Sequence, residues 1–153
     1  MTTDDDRTAF ITAMGDLLAS WNLSRTTGRI YGHLLLHSAP TSLDTLGSAL
    51  GLSKGTVSTS VRELTAWGLA RTIPQPGSRR LLVEATGGFE QLLAASHERS
   101  RALIRILREG GDLAEDERAR DRLTDVTELF ESYVSAGDEM LRRARGGTGG
   151  RRI

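Results

Sequence analysis

The stretch from Thr41 to Ala70, TSLDTLGSALGLSKGTVSTSVRELTAWGLA, leaves this chain the least freedom. Thr41 or Ser42 is placed to cap a short helix with Leu43, Leu46 and Leu50 turned inward. Gly51 follows, where a left-handed residue ends a helix. Leu52 is expected as a buried bridge. Ser53 then caps a further helix in which Val57, Val61 and Leu64 recur at helical steps. Gly68 terminates it. Two short helices, a glycine-containing turn, and small polar residues on the early outer face of the second helix form the pattern of a helix-turn-helix. The pattern then changes to strand. Leu69–Ile73 and Arg80–Glu84 are two strand runs, and Pro74-Gln75-Pro76-Gly77-Ser78-Arg79 between them is rich in turn formers. A β-hairpin fused to a helix-turn-helix is a wing.

Helical spacing governs the flanks. Phe10, Met14, Leu17, Leu18 and Trp21 predict a first helix over Asp6–Trp21. Ser24 caps a second, with Ile30, Tyr31, Leu34 and Leu35 on one face, ending near His37. Thr86 is expected to cap a helix over Gly87–Glu109, and a last long helix is expected over Ala114–Arg145. A helix of about 30 residues spans roughly 45 Å at 1.5 Å per residue. A small winged domain cannot cover that length, and the first helix has little nearby to pack on. The economical partner is a second copy. The expected fold class is therefore mainly α with a small β-hairpin wing. Residues 1–23 form an N-terminal dimerisation helix, 24–85 a winged helix-turn-helix, 86–145 C-terminal dimerisation helices, and 146–153 a disordered tail.

The chain has 153 residues and no cysteine, so disulfides, thiol catalysis and cysteine-ligated zinc are excluded. No apolar run approaches the roughly 18–20 residues needed to cross a bilayer. The start of the chain is acidic where a secretion signal is basic, so the expected compartment is the cytoplasm. Net charge is zero, but it is unevenly spread. Residues 1–24 carry net −3, residues 25–85 net +4 and residues 86–153 net −1. A local basic field in the middle third can steer a polyanion despite overall neutrality.

With Val57, Val61 and Leu64 turned inward, Gly55, Thr59, Arg62 and Ala66 face outward, with Ser58 and Glu63 at the edges. Small residues let a helix enter the major groove closely. Ser and Thr hydroxyls can meet phosphate or base edges, and Arg pairs with guanine O6 and N7. The helix start, Ser53, Lys54, Gly55 and Thr56, offers backbone N–H groups and a positive dipole end to a phosphate. Arg79 and Arg80 at the wing tip suit a neighbouring minor groove. Arg25 and Arg29 are placed to meet the backbone.

The stretches LSRTTGRIYGHLLL and SLDTLGSALGLSKGTVSTSVRELTAWGLARTIPQPGSRR resemble the GbsR-like branch of the MarR-type winged-helix regulators. The resemblance covers about residues 17–90 and is most specific in LGLSKGTVSTSVREL. It implies a homodimeric bacterial transcriptional regulator, often a repressor, on a pseudo-palindromic operator in double-stranded DNA. The namesake subgroup responds to choline-type osmoprotectants. Trp21, Tyr31 and Trp67 are candidates for lining a small-molecule effector pocket, since aromatic rings hold quaternary ammonium by cation–π attraction. The competing reading of these rings is core.

Other features point to plain structural roles. His33 and His37 stand four residues apart, as metal pairs do, but no third ligand follows, so no metal and no cofactor are expected. The run from Glu115 to Arg122 reads as a solvated helix face with ion pairs of a few tenths of a kcal/mol each. No phosphate loop or nucleophile–base pair marks an enzyme. The alternatives to a regulator are a winged-helix module that docks on protein and an architectural DNA binder without an operator.

Overall fold

The computed structural model describes residues 3–147. The chain divides into two units, one ending at Phe89 and the other starting at Glu90. The first contains α1 (Thr3–Ala19), α2 (Arg25–Leu35), β1 (Thr41–Ser42), α3 (Leu43–Leu50), α4 (Lys54–Ala66), β2 (Ala70–Pro74) and β3 (Leu81–Ala85). The second contains α5 (Glu90–Gly111) and α6 (Glu117–Gly147).

Three serines start three of these helices by one device. The Ser24, Ser42 and Ser53 hydroxyls accept the backbone N–H of Thr27, Thr45 and Thr56 at 3.0, 3.1 and 3.2 Å. Each satisfies a donor that the helix itself cannot, worth about 1 kcal/mol. Gly51 caps α3 in the left-handed conformation at φ 67°, and Gly68 follows α4 at φ 72°. Leu46, Val57, Val61 and Leu64 are buried, while Leu43, Leu50 and Leu52 are half-buried. Leu35, expected on the inward face of α2, is exposed.

The sheet has three strands in the order β1-β3-β2, all antiparallel. β2 and β3 lie one residue later than the pattern predicts, with Thr72 opposite Val83. β1 was not expected. It is two residues long, and Thr41 pairs with Val83 on the side of β3 away from β2. This third strand anchors the root of the wing to the start of α3.

Thr86 does not cap a helix: its hydroxyl donates to the Gly68 carbonyl and its N–H to Leu69 O at 2.9 Å. It ties the end of the wing to the end of α4, and α5 starts only at Glu90. Nor does α1 lack a local partner. It packs along α2 so closely that a Cβ on Gly28 would lie 2.7 Å from Gly15 Cα and 2.8 Å from the Met14 carbonyl oxygen. Only glycine permits that approach.

In the second unit α5 and α6 pack as an antiparallel pair. Asp116 accepts the Ala119 N–H at 2.8 Å and so caps α6. His97 is buried and lies 3.2 Å from an Asp138 carboxylate oxygen, and Arg101 forms an ion pair with the other oxygen of that carboxylate. The Arg101 guanidinium holds the Asp138 carboxyl below its ordinary value. Of the stretch expected as a tail, Gly146 and Gly147 continue α6, and residues 148–153 lie outside the described residues.

Candidate nucleic-acid interface

α4 is oriented by its apolar stripe. Val57, Val61 and Leu64 are at most 3% exposed, and Gly55, Thr59, Arg62 and Ala66 face out. Ser58 is half-buried at the edge. At the helix start, Ser53 and Thr56 turn their hydroxyls to each other at 2.8 Å, and Thr59 donates to the Gly55 carbonyl at 3.0 Å. These hydroxyls serve the helix first. The N–H groups of Lys54 and Gly55 lie in the first turn, where a helix offers its positive end.

The wing is built to deliver its two arginines. The Ser78 N–H donates to Gln75 O at 3.1 Å across a turn with Pro76 and Gly77 at its centre. Gly77 sits at φ 74°, which the third position of such a turn requires. The Ser78 hydroxyl then accepts the Arg80 N–H at 3.1 Å. Arg79 and Arg80 come to line one groove with Lys54. Its other walls are Ser42, Leu43, Asp44 and Leu81. The structure thus brings the start of α4 and the wing arginines together around a single surface.

The Arg and Lys side chains from α2 to the wing fall into two sets. Arg71 pairs with Glu84 across the wing, and Arg25 pairs with Asp16 at 3.2 Å with both side chains mostly exposed. Arg29, expected at a DNA backbone, instead donates to the Leu50 carbonyl at 3.3 Å and so satisfies the end of α3. Among the described residues, Lys54, Arg62, Arg79 and Arg80 have no carboxylate partner. Their charge is uncommitted within the fold.

Of the three candidate pocket aromatics, Trp21 and Tyr31 meet through Phe89. The Trp21 and Phe89 rings are edge to face at 5.7 Å, and Tyr31 lies 6.2 Å from Phe89. Burial pushes the Tyr31 phenol above its ordinary value. Trp67 is the half-buried residue that caps α4. His33 and His37 stack at 4.2 Å, and burial, then the charge of His37, lowers the pKa of His33. Among the described residues no group of three or more His, Cys, Asp or Glu side chains could hold a metal ion.

One polar cluster was not anticipated. Thr27, fully buried on α2, donates its hydroxyl to a Glu63 carboxylate oxygen at 2.8 Å. Its oxygen lies 3.0 Å from the Ser60 hydroxyl and 2.7 Å from that of Ser24. The available signal was Ser60, a polar residue beside the apolar stripe of α4.

A helix with a wing beside it, both presenting cations without a carboxylate partner among the described residues, makes a winged helix-turn-helix. Residues 21–81 match the model of the MarR family, and the fold is a MarR-type winged helix. The crystal structure of a transcriptional regulator is similar at 26% identity and a TM-score of 0.58, over 92% of this chain and 99% of that one. A mutant of MarR from E. coli complexed with operator DNA is similar at 16% identity and a TM-score of 0.41, over 62% of this chain and 66% of that one. A mutant of MepR from S. aureus bound to an oligodeoxyribonucleotide is similar at 16% identity and a TM-score of 0.43, over 86% and 93%. No curated protein matches the chain. Among the described residues no helix is long and apolar enough to cross a membrane.

Proposed function

We propose that the chain is a sequence-specific DNA-binding regulator of transcription. It acts as a homodimer on a pseudo-palindromic operator, in the manner of a repressor and without enzymatic chemistry. The observation that carries this reading is the convergence of Lys54, Arg79 and Arg80 on one groove, with no carboxylate pairing them. In the proposal Arg62 reads a base in the major groove, with Ser58 and Thr59 beside it. Ser53, Lys54, Gly55 and Thr56 hold a phosphate at the start of α4, and the wing arginines meet the flanking minor groove. Arg25, already paired with Asp16, adds at most a backbone contact.

The homodimer is supported by apolar side chains left in water on the second unit, among them Ile106, Leu129 and Tyr133, each more than half exposed. Two copies set two half-sites about one helical turn, near 10 bp, apart. A small-molecule effector at Trp21, Tyr31 and Trp67 would act only by favouring one separation of the two recognition helices. Within the family, LGLSKGTVSTSVREL favours the GbsR-like branch.

The test is binding of the purified protein to the DNA upstream of its own gene and to a scrambled duplex, by fluorescence anisotropy at several salt concentrations. Tight upstream-preferring binding with two protomers per site is expected. Equal binding to both duplexes that vanishes with modest salt would make it an architectural binder. No binding to either would favour a protein-docking module.

A further inference from the structure

We infer that Thr27 and Glu63 fix which bases α4 reads, without touching DNA themselves. The inference rests on the DNA-reading role proposed for α4. The apolar stripe sets which side of α4 is buried, but dispersion contacts are non-directional and tolerate a small roll of the helix about its axis. Hydrogen bonds do not. Glu63 and Ser60 are three residues apart on α4 and both meet the one hydroxyl of Thr27.

That hydroxyl is itself buried on a capped helix. Thr27 belongs to the first turn of α2, its N–H donates to Ser24, and it is completely buried. The Glu63 carboxylate, the one acidic group of α4, is thereby held against the positive end of α2. The cluster is a directional latch between the two helices. A roll of about 10° moves a side-chain tip about 6 Å from the helix axis by about 1 Å. That exceeds the roughly 0.5 Å window of a good hydrogen bond. Thr59 and Arg62 each immediately precede a latch residue, Ser60 and Glu63, so their reach toward base edges depends on it. Thr27 and Glu63 are therefore positioning residues for recognition.

The test selects preferred duplexes from a random pool with the wild type, Thr27→Val, Thr27→Ser and Glu63→Gln. Each protein's affinity is then measured for the wild-type-selected duplex and for a scrambled one, alongside its urea midpoint. Thr27→Val keeps the shape and removes the donor. It is expected to lower the selected-over-scrambled ratio about tenfold with scrambled binding and salt slope unchanged, and to alter only the positions read by α4. Thr27→Ser, which keeps the hydroxyl, is expected to restore the ratio. Should Thr27→Val not fold, Glu63→Gln carries the same expectation in a smaller amount. A lowered urea midpoint with an unchanged ratio would overturn the latch and leave the regulator standing. A wild type that selects no sequence would overturn both.

Discussion

Arg62 stands on the outer face of α4 with no acidic partner among the described residues. That isolation separates it from Arg71, whose charge is spent on Glu84. On the proposed function, replacement by Ala removes a contact to DNA and almost nothing from the fold. The expected cost is roughly 1–3 kcal/mol on the selected duplex, with preference relaxed at one base position. Uniform weakening on every duplex would assign Arg62 to phosphate. The outward placement of Arg62 was legible in the sequence because the helical wheel of α4 is set by three apolar residues close together. Arg29 was not legible, because its acceptor, the Leu50 carbonyl, belongs to another helix. Thr27 was hidden for the same reason: Glu63 lies 36 residues away.

Among the elements, the helix starts at Ser24, Ser42 and Ser53 were read correctly from their local cap signals. β1 was not, since two residues carry no period and their partner, β3, comes forty residues later. The start of α5 was misplaced because Thr86 has the chemistry of a cap but spends it on Gly68. The wing predicts its own behaviour. Replacing Arg79 and Arg80 together with Ala should lower the slope of log affinity against log salt by about one per lost phosphate contact. An unchanged slope in an anisotropy titration would place the wing off the phosphates. The α5–α6 pair predicts an acid dependence. Asp138 is held below its ordinary carboxylate value of 3.8, chiefly by its hydrogen bond from Arg101. The stability this adds is present above that value and is lost as pH falls through the lower, folded one. Asp138→Asn should flatten the loss of urea midpoint below about pH 4. An identical acid limb in both proteins would mean that Asp138 is not its source.

For the whole molecule, the net positive segment covers α2 to β3, and among the described residues six of the twelve large apolar side chains exposed in water lie on α5 and α6. If a second copy covers the latter, the melting temperature should rise with protein concentration, and Leu129→Glu should give a monomer by analytical ultracentrifugation. The same variant should bind the selected duplex far more weakly while its contacts to a single half-site persist. A concentration-independent melt would refute the shared layer. The close seating of α1 on α2 has a bearing on where this protein can be cut. The family match starts at residue 21, after α1 has ended. A fragment trimmed to that match would strip the cover from the glycine face of α2 at Gly28 and Gly32. It would leave bare backbone where a neighbouring helix had lain, and no side chains there to make up the loss. The smallest winged-helix fragment expected to fold therefore begins with α1, and a shorter one should unfold at markedly lower urea.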